Sequence, residues 1–155
     1  MFRYSLVYTL RNAEHPLCQL VTSYADRMGG VAFPPHITVR HSLSFAGALK
    51  MHEMFTSHYN MPDIVFLDEV HTTSTLLLNA NGKQVSFYAI EQPLLVNMQR
   101  VPGLHVSLAY KVGSPFTLSE RDLVRPWSGR LGSDEIKLCV FSCHSKSPKF
   151  WRTVM

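Results

Sequence analysis

The sequence predicts an α+β fold in which antiparallel strand pairing predominates. Three observations carry this. The elements run strand-helix-strand-helix, then a group of strands, then strand-helix-strands, which is not the regular alternation of a parallel array. Asn81-Gly82 sits between two strand-like stretches, a strong hairpin signal because a type I′ turn needs positive φ at both central residues. The chain has 155 residues, 46% of them hydrophobic and only 17% charged, enough apolar matter for one packed domain spanning 1–155.

Phe2 to Leu10 is rich in aromatic and aliphatic residues and reads as the first strand. Pro16 suits the first position of a helix. Leu17, Leu20, Val21, Tyr24 and Met28 follow at helical spacing, and Gly29-Gly30 stops it. Val31 to Phe45 reads as extended chain entered through Pro34-Pro35, since proline fixes its own φ and biases its predecessor toward extended geometry. Ser44 is placed to cap a second helix with Ala48, Met51 and Phe55 on one face. Ile64 to Val70 reads as a strand, and Thr75 to Ala80 with Lys83 to Ile90 as the hairpin. Pro93 to Gln99 reads as a short helix and Leu104 to Val112 as a strand. Thr117-Leu118-Ser119-Glu120 has the form of a capping box. Glu135 to Cys143 and Lys149 to Val154 complete the chain as strands.

No stretch approaches the roughly 20 apolar residues of a spanning helix, and the N-terminus lacks the pattern of a signal peptide. The three cysteines, Cys18, Cys139 and Cys143, make no disulfide framework. The expectation is a soluble, cytoplasmic monomer from a reducing compartment with no membrane partner. The formal net charge of +4 favours anionic partners, without a dense basic run to specify one.

The informative feature is a repeated tetrapeptide. His36-Ile37-Thr38-Val39 and His105-Val106-Ser107-Leu108 each read histidine, aliphatic, small hydroxyl, aliphatic. The first follows Pro34-Pro35 and the second follows Pro102-Gly103-Leu104. On a strand, positions i and i+2 share a face. His36 would project with Thr38, and His105 with Ser107, while the aliphatic residues enter the core. The same parity extends to Arg40 and Lys111. Two imidazoles can accept and donate protons near neutral pH, hydroxyls can bind non-bridging phosphate oxygens, and cations add attraction for phosphate. A single His-x-Thr arises easily by chance. Two copies in matching strand contexts do not.

On these residues the chain resembles the two-histidine (2H) phosphoesterase superfamily, whose hallmark is a pair of His-x-Thr/Ser motifs. Phe33-Pro34-Pro35 and the aliphatic residue after each hydroxyl are similar too. The resemblance implies a two-lobed, pseudo-symmetric fold, with antiparallel sheets lining a central groove and helices outside. It implies phosphodiester cleavage without a metal or other cofactor. His36 and His105 would be the acid/base pair, and Thr38 and Ser107 the phosphate ligands. Only about 14 residues separate Ile90 from His105, leaving little room for a full helix there, so the compact outline looks more like the small viral members. Those cleave 2′,5′-linked oligoadenylates and so antagonise oligoadenylate-triggered RNA decay. The alternatives are a 2′,3′-cyclic nucleotide or RNA-end cyclic phosphodiesterase, or a non-catalytic nucleotide- or RNA-binding module. The four intact motif positions argue against the last. In each case the partner is a short oligonucleotide or nucleotide phosphodiester.

The other histidines, His15, His41, His52, His58, His71 and His144, read as surface or partly buried residues. His41 has the opposite parity to His36. Cys139, Cys143 and His144 lack a usual zinc spacing and a fourth ligand, so no metal is expected. Arg40 and Lys111 either contact phosphate or sit at solvated strand ends. Tyr8, Phe87, Tyr88, Phe150 and Trp151 could stack on a base, with core packing the default.

Overall fold

A computed structural model of the chain describes residues 3–30, 33–78, 81–142 and 152–154. Among the described residues the elements are, in order, β1 (Tyr4–Leu10), α1 (Pro16–Met28), β2 (His36–Leu43), α2 (Phe45–His58), β3 (Ile64–Phe66), β4 (His71–Leu78), β5 (Gln84–Val96), β6 (Gln99–Val112), α3 (Leu118–Leu123), β7 (Arg130–Leu131), β8 (Ile136–Ser142) and β9 (Arg152–Thr153).

The strands form one nine-stranded sheet in the order β7-β3-β5-β6-β2-β1-β8-β9, with β4 paired to β5. Every pairing among the described residues is antiparallel. This corrects the expected two-lobed α+β architecture. The molecule is mostly antiparallel sheet, nearly closed like a barrel, with few helices. The physical reason is the pairing of β2 with β6 through Ile37 and Val106. The two strands that carry the repeated tetrapeptide hydrogen-bond to each other, so no divide separates one sheet from another.

α1 begins and ends as its residues dictate. Pro16 occupies the start, where its missing N–H costs nothing. His15 caps it: Nδ1 accepts from the Leu17 N–H at 3.1 Å, and Nε2–H donates to Glu135 at 3.0 Å. Gly29 adopts φ 61, the left-handed geometry that closes a helix. Gly30 serves a different need, because a Cβ there would lie 2.6 Å from the Tyr110 carbonyl oxygen of β6. Leu17, Val21, Tyr24 and Met28 pack on Ile37, Val106 and Leu108. α2 is capped by the Ser44 hydroxyl, which accepts from the Gly47 N–H at 3.0 Å. It lays Ala48, Met51 and Phe55 over Leu6, Leu138 and Val140. α3 carries the reciprocal capping box of Thr117 and Glu120.

Pro93 to Gln99 is not a helix. β5 continues to Val96, turns through Asn97 and Met98 (φ 50 and 64), and returns as β6. Strand periodicity prevails there because Gln92 and Leu94, on one face, are both buried. Pro93 lies where the β5–β6 ladder shifts register, so its lack of an N–H is tolerated. Gln92 is 0% exposed and fully paired. Its amide donates to the carbonyls of Leu67 (2.8 Å) and Trp127 (2.9 Å) and accepts from the Trp127 N–H (2.9 Å). β3 stops at Phe66, short of Val70, and the short β7 has no counterpart in the sequence reading. Among the described residues, no helix is long and apolar enough to cross a membrane.

Candidate active site

The β2–β6 pairing brings the repeated segments together. With Ile37 opposite Val106, antiparallel register sets Ser107 opposite His36 and His105 opposite Thr38. Ile37 and Val106 are 3% and 1% exposed in the core. The four polar residues therefore share the other face. On a pleated sheet, opposed side chains have Cβ atoms about 5 Å apart, and the His36–His105 diagonal spans roughly 7–8 Å. A single phosphate group can bridge that diagonal.

The two rings are held in the same way. His36 Nδ1 donates to the Pro34 carbonyl at 2.9 Å, and His105 Nδ1 donates to the Gly103 carbonyl at 2.8 Å. In each, the acceptor lies two residues upstream. Gly103 reaches it with φ +82, a conformation that other residues adopt under strain. Each neutral ring thus carries its proton on Nδ1 and presents the Nε2 lone pair.

Their surroundings differ. His36 is half-buried, with its ring centroid 5.1 Å from that of Phe141. Burial pushes its pKa down to about 4, opposed by the Pro34 hydrogen bond and reinforced by neighbouring His105. At neutral pH it is an uncharged proton acceptor. His105 instead has a carboxylate beside it, Glu91 Oε1 lying 3.3 Å from Nε2. Glu91 stands opposite Ser107 across β5–β6, and Thr73 of β4 donates a hydrogen bond to the same oxygen at 3.0 Å. Ser107 is buried at 4% exposure, and Thr38 is half-buried.

Arg40 and Lys111 do not extend the site, because a register shift follows each hydroxyl residue. Val7 pairs with Thr38 but Leu6 pairs with Arg40, so Val39 is an extra residue and Arg40 joins the Leu6 face. Glu91 pairs with Ser107 but Ile90 pairs with Ala109, which sends Lys111 to the far face as well. There its ammonium binds the Glu120 carboxylate at 2.8 and 3.1 Å. That interaction and the Thr117 hydrogen bonds hold the Glu120 carboxyl below its usual range. The first shift also removes the parity argument for His41, whose Nδ1 lies 3.0 Å from the Ser42 hydroxyl in the exposed end of β2.

Tyr8 packs between the clusters under α1 and α2, and burial raises its pKa. Phe87 stacks at 4.8 Å on Tyr110, and Tyr88 packs against the main core. Core packing accounts for all three. Phe150, Trp151, Cys143 and His144 lie outside the described residues. Cys139 is buried with Val7 and Phe141. Among the described residues, no group of three or more His, Cys, Asp or Glu side chains could hold a metal ion. A surface depression of about 500 Å³ runs along α1 past Gln19, Thr22 and Asp26, and none of the four motif residues lines it.

Sequence reasoning missed Glu91, the carbonyl anchors and both register shifts. Gly103, two residues before His105, was the one visible signal, since glycine permits the backbone bend that aims a carbonyl at the ring. No family model, curated protein or solved structure matches the chain.

Proposed function

We propose that the chain is a phosphodiesterase that uses His36 and His105 as its acid/base pair, in the manner of the 2H phosphoesterases. Thr38 and Ser107 bind the non-bridging oxygens of the substrate phosphate. The observation that carries this reading is the opposed placement of the two His-x-hydroxyl segments on one sheet face, each ring anchored through Nδ1. One imidazole deprotonates the nucleophile and the other protonates the departing oxygen, so both proton transfers come from side chains. The two hydroxyls steady charge as it builds on the phosphorus oxygens.

The substrate proposed from the 2H resemblance is a 2′,5′-linked oligoadenylate. Its neighbouring 3′-hydroxyl, or water, serves as nucleophile. A 2′,3′-cyclic phosphate opened by water is the second substrate class. A panel of 2′,5′- and 3′,5′-linked oligoadenylates, 2′,3′-cyclic nucleotides and ADP-ribose cyclic phosphate, resolved by chromatography, tests the reading. Loss of the 2′,5′ linkage alone supports it, loss of cyclic phosphates alone moves the substrate to the second class, and no turnover on any member rejects it.

A further inference from the structure

Building on the phosphodiesterase reading, we propose that Glu91 is a charge filter beside the two rings, one that disfavours doubly charged phosphate monoesters and admits singly charged phosphodiesters. A row of register partners crosses the sheet face. His36 stands opposite Ser107, and Ser107 stands opposite Glu91. A phosphate held by the Ser107 hydroxyl between the rings therefore has the Glu91 side chain as its neighbour in the row, at roughly 5 Å. The carboxylate is turned toward that position. Its Oε1 lies 3.3 Å from His105 Nε2 and accepts a hydrogen bond from the Thr73 hydroxyl at 3.0 Å. An anionic oxygen thus already stands beside the nitrogen that a phosphate oxygen approaches. Among the described residues, no Lys or Arg contact offsets its charge. His71, opposite Glu91 across β4–β5, and Arg100 of β6 are engaged with Glu69 at 3.6 and 3.8 Å. The Glu91 side chain is 24% exposed, so water screens it incompletely.

The chemistry of the two ligand classes makes this carboxylate discriminating. At pH 8 a phosphate monoester carries two negative charges and a diester one, because the second ionisation lies near about pH 6. Repulsion scales with ligand charge, so it costs the monoester twice what it costs the diester. The hydroxyls of Thr38 and Ser107 are neutral, and His36, its pKa pushed down to about 4, is uncharged at pH 8, so these groups grip both ligands alike. The filter also bears on product release. When water is the nucleophile, its oxygen bonds to phosphorus and the bond to the leaving oxygen breaks. One proton passes through the rings to that oxygen, and the product is a monoester. The monoester gives its second proton to solvent, gains a charge and is repelled. Glu91 touches no reacting atom. It sets which charge state of the phosphate the site tolerates.

Equilibrium binding tests this without turnover. The probes are 3′-deoxyadenosine 2′-phosphate and its methyl ester, which lack the neighbouring nucleophilic hydroxyl and differ by one charge at pH 8. Isothermal titration should show the unaltered protein binding the methyl ester at least about tenfold more tightly than the monoester. Glu91→Gln keeps the size of the side chain and an acceptor for Thr73. It should shrink that ratio to within about threefold by gaining monoester affinity. Asp122→Asn removes the same charge from exposed α3 and should leave the ratio within about twofold of its original value. A monoester that binds the unaltered protein as tightly as the methyl ester overturns the proposal, and that comparison needs no variant. So does a ratio that Glu91→Gln leaves unmoved, or one that Asp122→Asn shrinks as far. In each of those cases the phosphate site itself survives. Binding of neither probe is a different failure, which rejects the phosphodiesterase reading and the filter with it.

Discussion

At the scale of single residues, the proposed chemistry rests on one ring pair. His36→Ala and His105→Ala should each lower turnover of the alkoxide substrate by at least about a hundredfold, the usual loss for a missing acid or base group. Thr38→Ala and Ser107→Ala should each cost less, because one hydroxyl remains on the phosphate. Circular dichroism of each variant checks that the fold is intact. The depressed pKa of His36 makes a pH prediction. A base that is protonated only near pH 4 keeps kcat/KM level through pH 6.5, so its acid limb should lie near 4. The same shift bears on stability. The unfolded chain takes up this proton near pH 6.5 and the folded chain only near 4. Stability from this group is therefore present above pH 6.5 and drains away as pH falls toward 4. The urea midpoint of the unaltered protein should drop across that window relative to His36→Asn. An equal pH dependence in the two proteins would contradict the assignment. The histidines and hydroxyls were legible in the sequence because strand parity needs only residue order. Glu91 was not, since nothing local ties it to a ring fourteen residues further on.

At the scale of elements, close approaches set what the strands tolerate. Gly30→Ala forces a methyl group against the Tyr110 carbonyl, at 2.6 Å if nothing moves. It should destabilise by about 1–3 kcal/mol, read from the urea midpoint. Gln92→Leu should cost a similar ~2–3 kcal/mol by leaving the Leu67 and Trp127 backbone groups without their partner. Its activity per folded molecule should fall little, since Gln92 lies on the face opposite the histidines. The helix boundaries were readable because Pro16, Gly29, Ser44 and Thr117 act on their own neighbours. The helix expected at Pro93 failed because proline at a helix start and proline at a register shift look alike in sequence. Only the burial of Leu94 and the turn at Asn97-Met98 distinguish them. The two register shifts were equally hidden, and they remove Arg40 and Lys111 from the candidate site.

At the scale of the whole molecule, the pairing of β2 with β6 decides the architecture. The strand order could not be read from element order, because the chain places β3, β4 and β5 between the two paired strands. A repeat predicts two similar units, and it does not predict that their strands join one sheet. That junction also sets the His36–His105 diagonal on which the proposed function rests. The most direct measurement is the chromatographic time course of 2′,5′-linked oligoadenylate with excess chelator present, run on the unaltered protein, His36→Ala and His105→Ala. The unaltered protein should cleave steadily, with at least about a hundredfold less turnover in either variant. Cleavage that stops with chelator, or that survives loss of either ring, would contradict it.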